Sequence, residues 1–145
     1  MYKFSLESVL RQRKLIEEGL QKEFGGLKRQ LFDEKERLLS FEQERNRFSG
    51  ELHQKQAKSI SVSDILLYTD FIQQVSKEIE KQSEKILEAR KNVDQKREEL
   101  IGAMKNRKMI DRLKEKGLKA HMQEISKKEL SLINEVAINA FNRRE

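Results

Sequence analysis

Apolar residues recur along this chain in alternating steps of three and four for dozens of positions, and no proline interrupts them. That spacing is the a/d seam of a coiled coil, so it demands helices that pair along one narrow stripe. Without proline, nothing forbids each helix from running very long. Charged residues make up 39% of the chain and apolar residues 36%, with no tryptophan. That supply fills a seam and not a multilayer core. Disorder competes as a reading for so polar a chain, but it predicts no regular spacing.

The first seam runs Tyr2, Leu6, Val9, Arg13, Ile16, Leu20, Phe24, and on through Leu31, Glu34, Leu38 and Phe48 to Leu52. Between Ile16 and Phe24 two steps of four fall together, a stutter that relaxes a supercoil. Gly25-Gly26 follows at once, each glycine costing about 1 kcal/mol in a helix relative to alanine. The pair reads either as a hinge or as a tolerated irregularity. The first helix is expected over about 4–56, on the order of 80 Å at ~1.5 Å per residue.

The pattern breaks once, at Ser59-Ile60-Ser61-Val62-Ser63-Asp64. Serine and aspartate compete with helix by bonding to nearby backbone, which favours turns and helix starts. Ser61 with Asp64 three residues on has the form of a capping box, with Ser63 as an alternative cap. The stretch is therefore predicted to be the apex of a hairpin, with a turn at about 57–63 and a second helix at about 64–141. The expected fold is all-α: a single domain over 1–145, an antiparallel two-helix coiled-coil hairpin with an overhanging C-terminal helix. Setting Leu52 against Ile65 at the apex brings Leu31 to Ile86 and pairs Glu34 with Gln82 in one polar layer, a device that fixes register.

In that register Leu6 faces Ile110, so the first arm is expected to run out near residue 114. The apolar stripe continues through Leu118, Met122, Ile125, Leu132 or Ile133, Val136 and Ala140, with Glu129 inside it. A stripe without an internal partner frays or binds something else. Charge concentrates in the same region. Lys105–Lys128 holds nine basic and three acidic residues, an excess equal to the +6 of the whole chain. Arg11, Arg13 and Lys14 lie at the same end. Such an end suits nucleic acid, anionic lipid or an acidic protein surface, or is simply a solvated face. No aromatic interleaving or binding motif favours nucleic acid, so no nucleic-acid partner is expected. Near the apex, Leu67 and Phe71 lie four apart beside the seam, as exposed anchors or as residues capped by Ile60 and Val62.

Catalytic chemistry is missing. His53 and His121 fall at opposite ends of the hairpin, Gly25-Gly26-Leu27-Lys28 lacks phosphate-loop spacing, and there is no cysteine. No catalytic residue, cofactor or metal ligand is expected, and the chain does not read as an enzyme. No apolar run approaches the roughly 20 residues of a membrane span. Ser5, Glu7 and Ser8 interrupt the stretch Phe4–Leu10, which is therefore not a secretory signal. A cytoplasmic protein is expected.

The opening Tyr2-Lys3-Phe4-Ser5-Leu6-Glu7-Ser8-Val9-Leu10, followed by Arg11, Arg13 and Glu17, resembles the start of the flagellar FliJ family. So do Tyr68-Thr69-Asp70-Phe71-Ile72, and Ile133-Asn134-Glu135-Val136-Ala137 with Phe141. The resemblance implies a soluble, stalk-like component of the flagellar type III export apparatus. It implies two partners, the hexameric export ATPase and the membrane-embedded export gate protein, and the handling of export chaperones. Attachment to the inner face of the cytoplasmic membrane is then peripheral and runs through those partners. The end carrying both termini is expected to enter the ATPase ring, making Arg11, Arg13, Lys14, Lys116, Lys119, Lys127 and Lys128 its candidate contacts. The gate contact of the family maps to Phe71 and Val75, with Leu67 a turn before and Glu78 and Gln82 next along the stripe. A monomer is expected. The alternatives are a generic coiled-coil scaffold and a basic binder of nucleic acid or anionic surfaces.

Overall fold

The computed structural model describes residues 1–144. They form two helices, α1 (Glu7–Gln56) and α2 (Val62–Arg144), with no strand among the described residues. The fold is the all-α helical hairpin that the seam spacing predicts. The chain enters α1 through a turn in which the Glu7 N–H donates to the Phe4 carbonyl at 3.2 Å. Glu7 then places a carboxylate beside the positive end of the helix dipole.

At the far end of α1, the Lys58 N–H donates to the Lys55 carbonyl at 3.0 Å, which tightens the last turn. Ser59 follows in the left-handed region with φ 66°, a conformation that a helix cannot continue. Two residues later Ser61 caps α2, its Oγ accepting from the Asp64 N–H at 3.2 Å. Ser61, not Ser63, is the cap.

Contacts divide the chain into two units. In the first, Leu20–Leu100, the two helical segments run antiparallel on either side of the apex. Its core is Ile86, Ala89 and Val93. Gln82 is only 2% exposed, and its Nε2 donates to the backbone carbonyl of Glu34 at 2.9 Å and to the Glu34 carboxylate. The predicted polar layer is thus a side-chain clasp on the opposing backbone. Farther from the apex, Lys96 reaches Glu23 at 2.7 Å and Glu99 at 2.9 Å. These carboxylates raise the Lys96 pKa, the hydrogen bond to Glu23 most of all.

The second unit comprises Met1–Gly19 and the chain from Ile101. Here the seam differs from the apolar pattern. Leu10 is 1% exposed and Glu17 7%, while Ile16 is 41% exposed. The withdrawn positions of α1 therefore run Leu10, Arg13, Glu17, Leu20, Phe24, in unbroken steps of three and four. No stutter exists. Burying Ile16 is worth about 1.5–3 kcal/mol, but it requires the supercoil to relax locally. Glu17 keeps the period, and Arg107 satisfies its carboxylate in a charge-assisted pair. The hinge reading of Gly25-Gly26 fails with the stutter, because α1 is continuous through both and neither has a positive φ.

The first arm also reaches farther than residue 114. Lys114 pairs with Glu7 at 2.9 Å, and the Tyr2 ring lies 5.4 Å from the ring of His121. The half-buried positions of α2 step from Lys114 to Gly117 to His121 and not onto Leu118. Beyond His121, α2 is exposed on all sides as far as it is described.

Candidate functional site

The unit Leu20–Leu100 carries an aromatic groove near the apex. Leu67 and Phe71 are both open to solvent, Phe71 by 42%, and Val62 is itself exposed instead of folded over them. One face of Phe71 stacks on Phe48 of α1, with ring centroids 5.6 Å apart and planes at 15°. Tyr68 meets the edge of Phe48 at 6.5 Å. Phe71 is therefore both a packing residue and an exposed one. Phe41, Phe48, Phe71 and Val75 floor a groove of about 480 Å³ rimmed by Glu44, Lys77, Glu78 and Lys81.

The groove is held by a polar strut. The Tyr68 hydroxyl accepts from Lys55 Nζ at 2.7 Å and donates to the Glu51 carboxylate at 3.3 Å. That bond to Tyr68 raises the Lys55 pKa. Of the positions that continue the Phe71–Val75 stripe, Glu78 reaches the groove. Gln82 is turned into the seam against Glu34 and is closed to any partner. The second wall, Phe41 and Phe48, was readable only as seam. Pairing Leu52 with Ile65 is the signal that sets Phe48 beside Tyr68 and Phe71.

The unit of Met1–Gly19 and the chain from Ile101 carries the basic surface. Arg11, Lys14, Lys116, Lys119, Lys127 and Lys128 are exposed, whereas Arg13 is half-buried in the seam. No described carboxylate lies within ion-pair distance of any of the seven. Arg107 and Lys114 are instead used internally, on Glu17 with Asp111 and on Glu7. A shallow cleft of about 420 Å³ is lined by Arg112, Glu115, Lys116, Leu118, Lys119 and Met122. Ile125, Leu132, Ile133 and Val136 continue an exposed apolar row.

The foot of this tail holds a contact that the apolar pattern did not show. The Tyr2 phenol lies across Gly117 so closely that a Cβ there would collide with its oxygen. His121 Nε2 is buried beside it without a hydrogen-bond partner. A glycine at a seam position, three residues after Lys114 and four before His121, was the available signal.

Among the described residues no group of acidic or histidine side chains is placed to hold a metal ion. No described helix is long and apolar enough to cross a membrane.

A family model described as flagellar FliJ protein matches residues 2–145. Among solved structures, a chain described as a YscO homolog, CT670, from Chlamydia trachomatis aligns at 22% identity and a TM-score of 0.48. The alignment covers 100% of this chain and 99% of that one. A comparison with curated proteins returns no match.

Proposed function

As a member of the flagellar FliJ protein family, and so a component of a type III export apparatus, the chain acts, we propose, as a non-catalytic stalk. In this reading it binds the hexameric export ATPase and promotes its assembly and activity. It also links the ATPase to the membrane-embedded export gate protein and handles export chaperones. It works in the cytoplasm as a monomer, held at the membrane only through its partners.

One observation carries the reading: α2 outruns α1 and continues past His121 as a helix with an exposed apolar row beside uncompensated lysines. A face of that kind is stable in water only when something covers it. Arg11, Lys14, Lys116 and Lys119 at its foot and Lys127 and Lys128 along it would complement an acidic partner surface. Arg13 serves the seam and contributes less. Leu67, Phe71 and Val75, with the Phe48 wall, form the gate contact. The test is ATPase stimulation by the full chain with Lys116, Lys119, Lys127 and Lys128 all reversed to Glu. The reading predicts loss of stimulation with unchanged helicity; full stimulation would remove the basic end from the interface.

A further inference from the structure

The apolar row of the tail has one charge set into it. Leu118, Met122, Ile125, Glu129, Leu132, Val136 and Ala140 step by four and three along one face of α2. Glu129 stands at the middle of the series. Its neighbours one helical turn away are Ile125, Ser126, Leu132 and Ile133, so no i±3 or i±4 cation pairs with it, and Lys127 and Lys128 beside it in sequence point off this face. All of these positions are exposed.

Within the paired part of the chain, three charged or polar seam residues are answered from the opposite helix, whereas Arg13 is not. Glu17 meets Arg107, Lys96 meets Glu23, and Gln82 meets Glu34. A carboxylate left unanswered in such a seam loses its water without replacement, the costly case. Glu129 poses that demand to whatever covers the tail.

A second copy of this chain cannot meet the demand. The antiparallel register centred on residue 129 sets Leu118 against Ala140, Met122 against Val136 and Ile125 against Ile133. That register places Glu129 against Glu129. Parallel pairing does the same. A shift of one heptad relieves the repulsion but sets Glu129 against an apolar residue and forfeits layers.

We propose that the tail is a pairing face gated by Glu129. It accepts a partner helix that presents apolar residues on both flanks and a Lys or Arg opposite Glu129, and it rejects its own copy. The inference deepens the proposed function and rests on it for the tail's partner being another protein. Its mechanism is the use of one polar seam residue to select a partner at some cost in affinity.

The experiment needs no ATPase, so its outcome is independent of that assignment. Full-length wild type, Glu129→Lys, Glu129→Leu and an equimolar mixture of wild type with Glu129→Lys are compared by sedimentation equilibrium, with circular dichroism confirming equal helicity. Wild type and Glu129→Lys alone are expected at monomer mass. The mixture and Glu129→Leu are expected to shift towards twice that mass as concentration rises. Wild type dimerising through its tail, or Glu129→Leu remaining monomeric, would overturn the gate. A silent mixture beside a dimerising Glu129→Leu would overturn the choice of a cation. Wild type pelleting with phosphatidylglycerol vesicles would make lipid the occupant and overturn the proposal as well.

Discussion

Arg107 of α2 donates through Nε and Nη2 to the carboxylate of Glu17 of α1, ninety residues away, while its Nη1 reaches Asp111 at 2.7 Å. These carboxylates, Glu17 first, raise the guanidinium pKa. The pair occupies a seam layer that an apolar residue one position earlier, Ile16, leaves empty. Glu17→Ala is expected to destabilise the hairpin by about 1.5–3 kcal/mol, the worth of hydrogen bonds to a charged group. Glu17→Ile with Arg107→Leu should recover that loss, because two matched apolar residues replace a buried pair at little or no cost. Urea unfolding followed by circular dichroism decides it, and a double variant weaker than the single one would refute the account of this layer.

Lys96 gives the hairpin a pH dependence of definite sign. Its folded pKa lies above the ordinary lysine value of 10.5 because Glu23 and Glu99 favour the charged form. The stability it contributes is complete below pH 10.5 and disappears as pH rises through the raised value. Lys96→Met should therefore melt below wild type at neutral pH, with the gap closing on the alkaline side. Thermal melts across that range would show it. A gap that stayed constant would mean Lys96 contributes through its hydrocarbon stem alone.

Gly117 exists for Tyr2. An added Cβ would collide with the phenol oxygen, and the phenol is the movable end of a flexible side chain. Gly117→Ala should displace Tyr2 from His121 while gaining about 1 kcal/mol of helix propensity. The expected result is unchanged or raised melting with loss of nuclear Overhauser contacts between Tyr2 and His121. Retention of those contacts would show that the Tyr2 ring is held elsewhere than across Gly117.

Phe71 faces two ways, and its two roles are separable. Stacking on Phe48 is worth about 0.5–1.5 kcal/mol, so Phe71→Ala should lower stability by that order beyond the burial of its inner face. Phe48→Ala removes the same stack but leaves the Phe71 ring in place. Gate binding is expected to fall sharply with Phe71→Ala and less with Phe48→Ala, measured against purified gate protein. Equal losses from the two variants would make the groove, and not the Phe71 ring, the binding element.

The steps of three and four were enough to read the hairpin, because a seam and its turn chemistry are local properties. They were also enough to bring Glu34 to Gln82, since one pairing at the apex sets all later layers. They failed at Glu17, where apolarity pointed to Ile16 and only the partner arginine makes a carboxylate the better seam residue. The close approach of Tyr2 to Gly117 was missed for a related reason: a glycine at a seam position signals a close approach only once its neighbour across the seam is known. Exposure of the tail followed from the pattern, whereas for Leu67 and Phe71 the pattern left exposure and capping by Ile60 and Val62 both open. The stacking that half-covers Phe71 did not follow from it, because it depends on how the Phe48 and Phe71 rings meet across the two helices.

The central claim is that the part of α2 beyond His121, together with the basic residues at its foot, binds the export ATPase. A chain ending at His121 retains the Tyr2 contact and every described ion pair between the helices. Stimulation of the hexameric ATPase by this shortened chain, against the full chain at equal helicity per residue, measures the claim directly. The account predicts that stimulation is abolished; stimulation equal to that of the full chain would contradict it.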